Sequence, residues 1–284
     1  MRSVSTVLNA YLQLCRPLNA VMAGIGTLIG FWISSQRIFF GFDFGMAFLS
    51  VIFIISGGQA INDYFDREVD AKQKSNRPIA SGKISPLHAL LFAGALFIIG
   101  NLLALQLNSS TFLSFPIAFF FSALLVVYSA FMQKIKFLGN IIVAMGVGFT
   151  YIFGASIARI TPLVLTIALA AFLANWAREI IKDVEDKEMD RGNKLTLPMI
   201  AASKHVHLLV GIILLATIFA GYIPSVWFGA GIIYTGIVTA SNAIFILAGK
   251  KLIQNEPKKS ASFMKMGMIA GLVAQLSLLL PLPL

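Results

Sequence analysis

From Phe44 to Asn62 the chain reads FGMAFLSVIFIISGGQAIN, nineteen residues without a charge, and at Asp63 it turns abruptly into DYFDREVD, ending at Asp70. About 20 apolar residues in a helix cross the hydrocarbon core of a bilayer. The stretch therefore reads as a membrane-spanning helix with acids packed at one end. Other charge-free runs cover Pro17–Gln36, Ile84–Gln133, Phe137–Ala158, Ile160–Ala177, His205–Gly249 and Met266–Leu284. Two of these are too long for one crossing. Polar breaks at Asn108-Ser109-Ser110-Thr111 and at Gly221-Tyr222-Ile223-Pro224-Ser225 divide them. The expected architecture is an all-α membrane protein of nine transmembrane helices, one polytopic domain from residue 1 to 284.

Composition agrees. Of 284 residues, 58% are hydrophobic and 12% charged, about half the charged share of an ordinary soluble domain. That excludes a soluble enzyme, a disordered tail and a disulfide-stapled secreted domain. The apolar runs are continuous, not alternating, which argues against a transmembrane barrel. Cys15 is the single cysteine, so it has no internal disulfide partner and no metal-binding pattern. No cleavable leader is expected, since Arg2 followed by a hydrophobic helix can itself start insertion.

The net charge of +10 is read by its placement, and no nucleic-acid partner is expected. With a cytoplasmic N-terminus, the loops around residues 63–83, 134–136, 178–204 and 250–265 face inward. Of the 22 Lys and Arg, all but Arg37 and Arg159 then lie inside, as the positive-inside rule requires. Eleven of the twelve acids lie inside too, ten of them in two clusters. The chemistry is therefore expected on the cytoplasmic face of a multi-pass cell-membrane protein.

The second cluster reads Lys182-Asp183-Val184-Glu185-Asp186-Lys187-Glu188-Met189-Asp190. Both clusters have the spacing D-x2-D-x3-D, which puts three carboxylates on one helix face. An offset of 120 residues also aligns Lys74 and Pro78 with Lys194 and Pro198. The helices concerned are four apart and of equal polarity, so two parallel four-helix repeats (helices 2–5 and 6–9) are expected, with helix 1 added, around a central cavity. Six converging aspartates (Asp63, Asp66, Asp70, Asp183, Asp186 and Asp190) would repel one another unless cations lay between them. Mg²⁺, a hard ion that takes a few carboxylates and completes its shell with water and phosphate, suits them.

Bases accompany the acids. Arg67, Lys72, Lys74, Arg77 and Lys83 follow the first cluster; Arg178, Lys182, Arg191 and Lys194 flank the second; Lys134 and Lys136 follow the fourth helix. Lys83, Lys204 and Lys250 are read as topogenic charges only. Metal-binding acids and anion-binding bases over an apolar cavity describe a diphosphate site for a greasy substrate, with Arg77, next to Pro78, the best-placed clamp. Asn62 is placed to orient a carboxylate or a phosphate.

These motifs resemble the UbiA-type family of intramembrane prenyltransferases. The residues that carry the resemblance are Asn62-Asp63-x-x-Asp66-x-x-x-Asp70, Asn76-Arg77-Pro78-Ile79-Ala80-Ser81-Gly82-Lys83-Ile84-Ser85, Arg178-Glu179-x-x-Lys182-Asp183-x-Glu185-Asp186-x-x-x-Asp190 and Thr196-Leu197-Pro198. Met189 departs from the pattern, where a glycine often precedes the last aspartate. The opening Arg16-Pro17-Leu18-Asn19-Ala20-Val21-Met22-Ala23-Gly24-Ile25-Gly26 is similar to members that close the second ether bond of archaeal lipids. That resemblance implies geranylgeranyl diphosphate as donor, geranylgeranylglyceryl phosphate as acceptor, and membrane lipids as surroundings. Ionisation of an allylic diphosphate would be driven by Mg²⁺ on the six aspartates. Arg77, Lys134 and Lys194 would help, Asn62, Arg67, Lys74, Lys182 and Arg191 would contact substrate, and Tyr128 would lie near the cation. An aromatic acceptor of quinone synthesis is the alternative, and a cation or metabolite carrier the rival of another class.

Overall fold

The computed structural model describes residues 4–38, 40–72, 76–109, 111–132, 136–190 and 195–279. Their elements are α1 (Val4–Cys15), α2 (Pro17–Ser35), α3 (Phe42–Lys72), α4 (Pro86–Leu105), α5 (Ser114–Val127), α6 (Lys136–Ser156), α7 (Pro162–Glu185), α8 (Lys187–Asp190), α9 (Leu197–Ile200), α10 (Ser203–Trp227), α11 (Ile232–Ile253) and α12 (Pro257–Ser277). A π-helical turn, Tyr128–Met132, continues α5.

Eight helices are long and apolar enough to cross a membrane: α2, α3, α4, α5 with its π turn, α6, α7, α10 and α11. The protein is multi-pass. Of the expected nine spans, the last differs: α12 is 21 residues long but carries Lys258, Lys259 and Lys265 in its first nine. The break expected at Gly221–Ser225 also moves. Helix α10 runs through Pro224 to Trp227 and stops at Gly229, whose φ of 67° lets Ala230 N–H reach back to the Pro224 carbonyl at 3.0 Å. A glycine in the left-handed region ends a helix more firmly than a proline in its last turn.

Serine or threonine followed by proline starts two of the spans. Ser85 and Thr161 each accept a bond from the N–H three residues on, and Pro86 and Pro162 fill the first helical position, where the missing N–H costs nothing. Helix α2 packs between α3 and α6. Its glycines are helix contacts, as their placement away from any strand suggests. A Cβ on Gly30 would collide with the Tyr151 carbonyl, and one on Gly154 of α6 with that of Thr27. Helices α4 and α5 are apolar on every side and leave Leu91, Ile98, Leu102, Phe119 and Phe120 exposed, as helices facing lipid do.

Helix α1 was not among the expected elements. It is an amphipathic helix that buries Ala10 and Leu14 against Ala60, Ile61, Ile84 and Ala89. Tyr11 meets Phe92 edge-on, with ring centroids 4.8 Å apart. Its other side leaves Leu8 and Leu12 exposed.

Candidate active site

Helix α3 stays unbroken for 31 residues, so its acidic end keeps the expected single face. Asp63, Asp66 and Asp70 are 2%, 3% and 6% exposed. Buried carboxylates need compensation, and two arginines from outside the helix provide it. Arg16 Nη2 donates to Asp63 Oδ1 at 2.6 Å. Arg77 Nη1 lies 3.0 Å from both Asp63 Oδ1 and Asp70 Oδ2; the first contact is a hydrogen bond, the second Coulombic. Asn62 Nδ2 donates to Asp66 Oδ2 at 3.1 Å.

Arg77 is delivered by a tight turn. The Pro78 carbonyl accepts from Lys83 and Ile84 N–H at 2.8 and 3.1 Å, Gly82 takes φ of 69°, and Ile79 and Ile84 are buried. Arg16 sits at the junction of α1 and α2 with φ of 44° and ψ of 65°. A left-handed arginine directly before proline is a strained arrangement. Gln13, Arg16, Asp63, Asn76, Arg77 and Pro78 line an open depression of about 400 Å³.

The second acidic end is built differently. Asp183, 1% exposed, accepts a bond from Asn140 Nδ2 of α6 at 2.7 Å. Helix α7 stops at Glu185, and Asp186 is its C-cap, bending the chain with φ of −88° and ψ of 2° before α8 resumes. The expectation of three carboxylates on one continuous helix face therefore fails here. Acids in a last turn face the negative end of the helix dipole, and α7 carries Asp183 and Glu185 there. Tyr128 lies on Gly139, next to Asn140, where a Cβ would meet its ring at 2.8 Å.

Not every expected residue reaches the site. Arg67 turns away: its guanidinium donates to the Tyr64 carbonyl at 2.8 Å and lies 4.6 Å from the centre of that ring. Lys182 is exposed, and Arg178 is paired with Glu179 at 2.6 Å. Lys74, Lys134, Arg191 and Lys194 lie outside the described residues, as does the side chain of Asp190. Among the described residues no three acids, cysteines or histidines converge on one point. Asp63, Asp66, Asp70 and Asp183 are nonetheless buried carboxylate oxygen donors, which fits a hard divalent cation such as Mg²⁺.

Residues 23–270 match the model of the UbiA prenyltransferase family. The chain belongs to that family. It is 35% identical over 265 residues to the digeranylgeranylglyceryl phosphate synthase of Methanothrix thermoacetophila, covering 93% of this chain and 96% of that one. Among solved structures it is similar to one from work on digeranylgeranylglyceryl phosphate synthase in membranes, with a TM-score of 0.82, 30% identity, and 95% and 97% of the two chains covered. A UbiA homolog from Archaeoglobus fulgidus bound to GPP and Mg²⁺ has the same fold, with a TM-score of 0.71, 20% identity, and 95% and 99% coverage. The chain is thus an intramembrane prenyltransferase.

Sequence reasoning gave no site role to Gln13, Arg16, Asn76 or Asn140. Arg16 is 47 residues from the carboxylate it holds, so spacing carries no signal for it. Asn140 had one: an amide inside the charge-free run Phe137–Ala158 must find a buried partner.

Proposed function

We propose that this UbiA-family enzyme transfers a geranylgeranyl group from geranylgeranyl diphosphate to the free hydroxyl of geranylgeranylglyceryl phosphate, with Mg²⁺ as cofactor. The observation that carries the reading is the burial of Asp63, Asp66, Asp70 and Asp183 at the ends of apolar helices. Such acids are kept inside a membrane protein for function. The acceptor follows from the relatives' substrate, implied by their name and shared over nearly the whole chain.

In this reading the nine-span plan holds, with α12 as the ninth span, two parallel four-helix repeats, and the acidic ends facing the cytoplasm. Mg²⁺ held by the six aspartates would neutralise the charge that develops on the departing diphosphate. Arg77 orients the diphosphate, with Lys134 and Lys194 as further anion contacts and Lys74 and Arg191 beside them. Asn62 and Asn140 hold Asp66 and Asp183 in their rotamers. An apolar crevice between α3, α5 and α6, lined by Val51, Ile54, Ile117, Phe121, Phe149 and Phe153, holds only about 30 Å³ and would have to widen to take a prenyl chain. Ile54 and Val51 precede Asp63 by 9 and 12 residues, roughly 14–18 Å along the helix, which suits a C20 chain with its head at the acids. The bundle keeps water from the allylic cation, aromatic faces favour it, and Tyr128 borders it. One of the aspartates, or the diphosphate released, accepts the hydroxyl proton.

The test is turnover of purified protein with geranylgeranyl diphosphate and each acceptor in turn, with and without EDTA. The expected product is the doubly alkylated glyceryl phosphate, lost in EDTA. Product only with a hydroxybenzoate or naphthoate would transfer the enzyme to quinone synthesis. Substrate flux in liposomes without diphosphate release would indicate a carrier.

A further inference from the structure

A reaction between a prenyl diphosphate and an acceptor that bears its own phosphate needs two anion seats. We infer that Gln13, Arg16 and Asn76 form the seat for the acceptor's phosphomonoester, beside the Arg77 guanidinium that orients the diphosphate. This inference rests on the acceptor named above.

Four observations support it. These residues line one pocket beside Asp63, and its volume of about 400 Å³ accommodates a glycerol phosphate head. Arg16 is held in a left-handed conformation before Pro17, and such strain persists where it serves a function. Among the described residues its guanidinium bonds only Asp63. That contact fixes its direction, while further N–H donors of the five remain for a phosphate. Gln13 and Asn76 are exposed, and they add amide donors without adding charge.

Charge counting gives the order of events. Asp63 and Asp70 are paired with Arg16 and Arg77, and with Asp66 beside them the acidic end is one negative charge from neutral. A divalent cation taken by the carboxylates reverses that sign and leaves the Arg16 charge to a phosphomonoester. Helix α1 sets the level of the seat. It leads directly into the membrane span α2 and exposes Leu8 and Leu12, as a helix at the lipid interface does. A lipid phosphate head lies at that depth.

The test uses the full chain in nanodiscs with geranylgeranylglyceryl phosphate and its dephosphorylated alcohol as acceptors. Arg16→Gln is expected to raise KM for the phosphorylated acceptor by about tenfold or more and, because Arg16 also pairs with Asp63, to weaken geranylgeranyl diphosphate binding by a clearly smaller factor. The preference for phosphate over alcohol should fall by the same factor. Acceptor binding measured without catalysis should strengthen when Mg²⁺ is added. Gln13→Leu, which does not touch Asp63, should shift the same KM by a smaller factor, and it decides the matter alone if Arg16→Gln does not fold. An equal loss on both acceptors, or a weakening of diphosphate binding as large as that of the acceptor, overturns the seat. A wild type that prenylates only an aromatic acid overturns the acceptor assignment, and the seat with it.

Discussion

The two acidic ends share one spacing and differ in what surrounds it. On α3 the carboxylates stay on one face of an unbroken helix, and Arg77 clips together Asp63 and Asp70, two turns apart. On α7 the helix yields at Asp186, and Asp183 accepts a bond from the neutral amide of Asn140. A cation bridge across two turns offsets the repulsion of acids at a helix C-terminus; on α7 the backbone bends between the acids. Equal motifs can thus give one rigid and one hinged half of a site. A rigid half suits a fixed anchor, and a hinged half suits a partner that adjusts to substrate.

The largest test of that contrast is removal of one acid from each half. Asp66→Ala and Asp186→Ala should each abolish measurable turnover, a loss of about 10³-fold or more, while size-exclusion and melting profiles stay those of the wild type. Comparable losses would make the halves chemical equals. A mild Asp186→Ala would reduce the hinged half to a minor role, and full activity in both would remove the acids from the mechanism.

How far the sequence revealed this site follows from the same contrast. The apolar runs gave the class of fold and most span boundaries, because membrane helices must satisfy their backbone internally and so declare their length. Asp63, Asp66 and Asp70 were readable because a helix converts spacing into a shared face. Asp186 was misplaced on its helix because periodicity carries no information about where a helix gives way. Arg16 was quoted only as part of a motif, since a chain turn and 47 intervening residues bring it to Asp63. Helix α1 escaped because twelve amphipathic residues are too few to resemble a span.

A smaller effect separates the two supports. Arg77→Gln leaves Asp63 and Asp70 without their shared cation and should cost about 2 kcal/mol of stability, less than a fully buried pair because Arg77 is partly exposed. It should show as a lower Tm that millimolar Mg²⁺ partly restores. Asn140→Ala removes one bond to a charged group, and about 1.5 kcal/mol is expected. If the Asn140 variant loses more than the Arg77 variant, the amide is the stronger support and the rigid half has been misassigned.

The smallest effect belongs to a third group of charges, at the N-terminus of α12, which gauges what an ordinary ion-pair knot contributes. Glu256 lies 2.9 Å from Lys259 and 3.2 Å from Lys251, and bonds to Lys259 first and Lys251 second hold its carboxyl below the usual carboxylate range. A carboxyl lowered in the folded state stabilises it above the unfolded pKa, and that contribution fades as pH falls through the folded value. Glu256→Gln should therefore lower Tm slightly at neutral pH, and the gap should close as the pH drops below the usual range for glutamate. Because these charges are on the surface, salt should close the gap as well. The half-buried pair of Arg77 with Asp63 should respond less to the same salt. A salt response of equal size at both places would mean that the acidic end of α3 is no better shielded from water than the α12 knot, and the claim of a sheltered anchor would fail.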